Sequence, residues 1–187
     1  VPALHAEGET WQRGRAACAA LLVEAARERR TEEWAGLIPD DPKAASRALR
    51  VTAESLALDD PAVPAITARA RALWAVHTEF EHRYRVIPAL AGDDEGREIL
   101  AGVIRLSDDA DLRAEAARAL GRNPASTSVV LEALGDRVPH VRAAAARALR
   151  GHPSAVESLT TRIHEDPWPS VRVAVVESLA HEPRAVE

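Results

Sequence analysis

Aliphatic residues return along the C-terminal half of the chain with a helical beat. Leu112, Ala116, Ala117 and Leu120 stand at i, i+4, i+5 and i+8. Val141, Ala145, Ala146 and Leu149 keep that spacing, and Val171, Val175, Val176 and Leu179 keep it again. Each set forms one apolar stripe on a helix. The three segments, 112–120, 141–149 and 171–179, lie 29 and 30 residues apart, so they read as a tandem repeat. Arg follows the leading aliphatic residue each time, at Arg113, Arg142 and Arg172. An Asp-x-x-Pro-x-Val-Arg run enters the last two segments, from Asp136 and from Asp166, while the first unit has Asp108 and Asp109 without the proline. The Asp side chains are expected to accept from the free N–H groups of the helix starts. Pro139 and Pro169 suit a first helical turn, where no N–H partner is lost. Pro124, Pro153 and Pro183 are expected to close each unit, because a residue ahead of proline is turned away from helix. Shorter helices are predicted in between, over 95–106, 126–134 and 154–164, making each unit a helix–turn–helix.

The N-terminal half keeps only traces of the pattern. Residues 65–73 match the template at Ala68, Ala70, Arg71, Ala72 and Leu73, with Asp60 where Asp136 falls. Residues 47–50 are a fainter echo. Helices are predicted over 8–29, 31–37, 42–58 and 62–83. Thr31 offers a hydroxyl N-cap, with Glu32 and Glu33 in the first turn behind it. Residues 39–42, 59–61 and 92–94 carry the turn chemistry of Asp, Pro and Gly. The expected organisation is a divergent helical region over 1–94 followed by three hairpins over 95–187. The first region reads either as an eroded repeat with the polar cap that solenoids need, or as a dimerising or binding element. The fold class is all-α, an α-α superhelix.

Composition agrees with helices and narrows how they pack. The chain has 39 Ala, one Phe, one Tyr and no Met among 187 residues. Sheets draw on aromatic and β-branched residues, so an all-β fold is excluded. Ala is the strongest helix former, and its small side chain lets helices approach closely. The net charge of −5 is spread evenly, with 12 basic and 15 acidic residues up to Asp94 and 12 and 14 after it. Binding to phosphate backbones would run against that field, so nucleic acid is disfavoured as a partner. Cys18 stands alone, which excludes an internal disulfide and points to a reducing, cytoplasmic setting. No apolar stretch approaches the roughly 18 residues of a membrane span. The start lacks both a basic n-region and an apolar h-region. It also lacks Met, as expected of a processed chain or a piece of a longer one.

The Asp-x-x-Pro-x-Val-Arg starts and the Ala-rich runs ending in Arg-Ala-Leu resemble HEAT repeats, specifically the short bacterial type also found in phycobilin lyase subunits. Three such units cover residues 95–183. The resemblance implies a scaffold more than an activity. It implies that Arg113, Arg142 and Arg172 form a structural ladder with acidic residues such as Asp136 and Asp166 between stacked repeats. It also implies that the second helix of each unit lines a concave face.

Candidate sites follow from these placements. On the second helices, Arg118, Arg122, His140 and Arg147 are the expected partner-binding residues. In the N-terminal half, Trp74, His77 and Tyr84 are the expected ligand-binding residues. His77 and Glu81, four apart on one expected helix face, with His82 beside them, could begin a metal site. No third ligand can be named from the sequence, so no metal or other cofactor is assigned. The tryptophans Trp11, Trp34, Trp74 and Trp168 are expected mostly to fill gaps that Ala cannot. Trp with Arg can also stack on nucleic-acid bases, as in HEAT-like DNA glycosylases, but that family needs a strongly positive face. His164-Glu165 and His181-Glu182 are similar to dipeptides of the HEAT-like iron hydroxylase of hypusine synthesis. There they recur at repeat spacing, whereas here they lie 17 apart. No glycine-rich phosphate loop or nucleophile elbow is present. The reading is a non-catalytic protein–protein interaction module. The alternatives are a phycobilin-lyase-like or metal/ligand-binding enzyme using the N-terminal half, and a nucleic-acid binder. A homo-oligomer is left open.

Overall fold

The computed structural model describes residues 41–180, and all regular structure within them is helical. The predicted helices over 8–29 and 31–37, with Cys18, Trp11 and Trp34, lie outside the described residues, as does Pro183. The chain divides into two compact units, Val1–Asp93 and Asp94–Glu187.

Three helices of the first unit are described: α1 (Pro42–Ser55), α2 (Val63–Val76) and α3 (Phe80–Leu90). Asp41 caps α1 by accepting from the Ala44 N–H at 2.7 Å, with Pro42 in the first turn. Leu49, Ile66, Ile87 and Leu90 are fully buried between the three helices. The expected single helix over 62–83 is instead two. His77 leaves α2 in an extended conformation, and Glu79 is extended ahead of α3. Nothing in the alternation of apolar residues marks that break, because Val76 and Phe80 both end up exposed. Pro88 sits inside α3 and has no N–H for the Tyr84 carbonyl one turn back. Arg50 of α1 reaches across to it instead, its Nη1 donating to Tyr84 O at 3.4 Å.

Six helices of the second unit form three hairpins: α4 (Asp94–Leu106) with α5 (Ala110–Leu120), α6 (Thr127–Ala133) with α7 (Pro139–Ala148), and α8 (Val156–Glu165) with α9 (Pro169–Leu179). The second helices α5, α7 and α9 stack side by side as a continuous layer, while α4 and α8 pack chiefly on their own hairpin partners and α6 lies against both α5 and α7. Alanine makes the close stack possible. Ala114, Ala116 and Ala117 of α5 and the run Ala143–Ala146 of α7 are all buried. At Gly121, just past α5, a Cβ would fall 2.5 Å from the Ala148 carbonyl oxygen and 2.6 Å from its Cβ. Pro124 and Pro153 turn out to open the next unit: each starts a single 3-10 turn that leads into α6 or α8. In α9, Val173 and Val176 are about half exposed, although they match Ala114 and Ala117 of α5, which are buried.

Two of the three repeat arginines, Arg113 and Arg142, hold the hairpins in register. Arg113 Nε and Nη2 donate to both carboxylate oxygens of Asp136, at 2.7 and 3.0 Å, one repeat further on. Arg142 does the same to Asp166, at 2.6 and 2.9 Å. The remaining Nη1 of each turns back to the loop six residues earlier. It donates to the carbonyl of Ser107, Asp136 or Asp166, each at 2.8 Å, from Arg113, Arg142 and Arg172 respectively. Arg172 shows that backward bond and no carboxylate partner among the described residues. Asp136 and Asp166 therefore do not cap helices as expected. Each accepts a loop N–H, from Val138 at 2.8 Å and Trp168 at 3.0 Å, and turns its carboxylate to the previous repeat. Asp109 alone of the repeat-start acids caps its helix, accepting from Asp111 and Leu112.

The electrostatics follow from this geometry. The Arg142 hydrogen bond is the largest influence on Asp166 and, with the Trp168 N–H, outweighs burial and lowers its pKa. For Asp136 burial is the largest single influence and raises it, but Arg113 and the Val138 N–H together carry it below the ordinary value.

Asp166→Ala leaves the buried Arg142 cation without its partner and should cost about 3–5 kcal/mol of unfolding free energy. Arg105→Ala, which breaks the half-exposed Arg105–Glu132 pair, should leave the unfolding free energy nearly unchanged; urea unfolding of both variants reads the difference. Since both ladder carboxyls have depressed pKa values in the folded state, their stabilisation is complete above the unfolded value near 3.9 and is lost as pH falls through the folded values. The acid limb of stability should flatten in Asp166→Asn. Separately, Gly121→Ala should destabilise by about 1–3 kcal/mol through overpacking. Gly102→Ala, inside α4 with nothing within 4 Å of the new Cβ, should stabilise by about 0.5–1 kcal/mol; melting curves of the pair test both signs.

Candidate functional site

Two places gather chemistry-bearing side chains, one in each unit. The first is the layer of second helices. Arg118 of α5, His140 at the start of α7 and Arg147 near its end are about half exposed on this layer. They lie within polar pairs. His140 Nε2 is 3.3 Å from Asp111 Oδ1 on α5, and Arg147 Nε donates to Glu177 Oε2 on α9 at 3.2 Å. Arg118 Nη1 donates to Glu115 Oε2 at 2.9 Å within its own helix. Glu115 is buried although its sequence position, between Ala114 and Ala116 on the Ala-rich face, gave no sign that it would be an acceptor. Arg122 is exposed just beyond α5. The His140–Asp111 and Arg147–Glu177 pairs, exposed on both sides, contribute about 0–1 kcal/mol each, so little is lost when a new partner replaces one of them.

The second place is the corner between α2 and α3. The break after Val76 turns the chain sharply, and the turn is held on both sides. The His77 N–H donates to Leu73 O at 3.0 Å, and Arg83 Nε donates to the His77 carbonyl at 3.2 Å. The Arg83 guanidinium also lies over the Trp74 ring, 4.7 Å from its centroid. Trp74, His77, His82 and Arg83 thus line one shallow cleft, closed below by Leu73 and Val86. The two imidazole rings meet edge to face at 5.3 Å. Between them stands Glu79, with Oε2 3.8 Å from His77 Nδ1 and 3.4 Å from His82 Nδ1. Its own backbone N–H, and then His82, hold the Glu79 carboxyl below the ordinary carboxylate value.

The structure separates residues that the sequence put together. Glu81 does not share a face with His77, because the helix is interrupted between them. It pairs with Arg85 one turn on, and that guanidinium lowers its pKa. Tyr84 is not in the cleft either; it stacks with Phe80 at 5.6 Å and lies under Arg50, 5.1 Å away. Trp74 is partly buried, but Trp168 is more than half exposed in the α8–α9 loop and fills no gap. Glu79 was missed because its closeness to the two histidines exists only once the helix is broken. His152 was also missed: Nε2 lies 2.9 Å from Gly121 O and Nδ1 2.8 Å from Thr127 Oγ1, so the ring bridges the end of α5 and the start of α6. Because a carbonyl only accepts, Nε2 carries the proton.

Among the described residues, no helix is long and apolar enough to cross a membrane. Residues 97–180 match the family model of HEAT repeats. No curated protein and no solved structure matches the chain.

Proposed function

We propose that this chain, a HEAT-like repeat protein, is a non-catalytic scaffold that binds another protein across the layer formed by α5, α7 and α9. The observation that carries the reading is the row of half-exposed Arg118, His140 and Arg147 on a closely stacked layer. The layer is a rigid platform because the buried ladder lies beneath it, so the spacing of these side chains is fixed before a partner arrives. Preorganisation of that kind reduces the entropy lost on binding. In HEAT-like arrays the second helices line the concave side, which supports this layer as the partner-binding face. Charges of both signs line it, with Asp111 and Glu177 between the cations, so the fitting partner is a segment of mixed charge. Arginines near the centre of such a surface are where binding energy concentrates.

A photo-crosslinking residue at position 147 should capture a protein partner in the native host, whereas one at position 160, on the exposed side of α8, should not. Against the captured partner, Arg118→Glu combined with Arg147→Glu should weaken affinity by about tenfold or more, the size of a modest hot spot. Arg147→Glu alone loses only the half-exposed Glu177 pair, so its melting temperature should hold while its binding weakens. Equal capture from both positions, or unaltered affinity of the double variant, would overturn the reading.

A further inference from the structure

The corner between α2 and α3 has the makings of a metal centre. We infer that His77, Glu79 and His82 together bind a divalent transition-metal ion of the zinc class, with one coordination position open to solvent in the cleft beside Trp74. One ligand atom from each of the three residues lies within 4.8 Å of the other two. A tetrahedral ion with bonds of about 2.1 Å holds its donors about 3.4 Å apart. The His82 Nδ1–Glu79 Oε2 separation is already 3.4 Å, and the His77 Nδ1–Glu79 Oε2 separation, at 3.8 Å, needs only a small rotation of the exposed Glu79 side chain.

The donor set selects the ion. Two imidazole nitrogens and one carboxylate oxygen suit zinc, cobalt(II), nickel or copper(II), whereas magnesium and calcium prefer oxygen throughout. Three protein ligands leave the fourth position for water or for a ligand entering the cleft. The backbone fixes the donors before any ion arrives. His77 ends α2 and its carbonyl is held by Arg83; Glu79 is the N-cap residue of α3, and His82 lies in the first turn of that helix. The Arg83 guanidinium lies over the Trp74 face. This site is independent of the partner-binding layer on the repeats, and its failure would leave that reading standing.

The test is titration of the metal-free full chain with cobalt(II) and then zinc at neutral pH. One cobalt(II) per chain should bind with the d–d absorption of a four-coordinate ion, zinc should displace it, and saturation should raise the melting temperature. Glu79→Gln and His82→Ala should each weaken cobalt(II) binding by about tenfold or more, with the helical circular-dichroism signal retained. Glu81→Gln, which touches only the Arg85 pair, should bind as the parent does. The inference is overturned if no saturable binding occurs. It is equally overturned if the binding survives unchanged in the His77→Ala, His82→Ala double variant, since the ion then sits on other histidines.

Discussion

A guanidinium buried beside an aspartate is the constraint on which the repeat unit depends. Arg113 and Arg142 each use three donors: two on the carboxylate of the next repeat and one on the carbonyl that opens their own. A buried charge tolerates little freedom, because every position other than the paired one leaves it desolvated and unmatched. The ladder therefore fixes the offset between hairpins more tightly than alanine contacts alone, since small apolar side chains slide past one another at little cost. Alanine supplies closeness and the arginine supplies register. The exposed residues of α5, α7 and α9 inherit both.

The first unit follows another logic. Its irregularities are each answered by an arginine. The carbonyl that Pro88 leaves without its helical partner is met by Arg50, and the carbonyl of His77 at the broken helix end is met by Arg83. Both arginines also lie over an aromatic ring, Tyr84 and Trp74 respectively. Tyr84 and Trp74 thus stand beside the places where the helical backbone is interrupted. Cations held there serve the backbone and the ring together.

The sequence was most legible where the pattern was periodic. The three repeat helices could be placed from Leu112, Val141 and Val171 because a stripe of apolar positions is set by the helix itself. Asp136 and Asp166 show where that reasoning stops. An Asp ahead of a helix reads as a cap from local sequence, and only the packed neighbour reveals that its carboxylate belongs to the previous repeat. The corner at His77 was illegible for a different reason. Residues 74–84 are compatible with continuous helix, and the break is chosen by tertiary packing, which lets α3 fold back on α1 and α2. With the helix continuous, His77 faces Glu81; with it broken, His77 faces Glu79. The candidate site changed by one acidic residue because one turn of backbone changed.

The ladder also has a direction. In the second and third repeats the Asp acceptor precedes the arginine by six residues, and in the first and second the arginine reaches forward to the Asp of the repeat that follows. At the head of the array Ser107 stands where Asp136 and Asp166 stand later, so no carboxylate awaits an arginine from an earlier repeat. A block copied from 136 to 165 carries an acceptor at its front and a donor behind it. Inserted in tandem, it pairs both with the repeat before it and with the repeat after it. Such a unit can be duplicated by an in-frame genetic event without leaving one buried charge unmatched, so the lineage could lengthen or shorten this array in steps of a whole repeat.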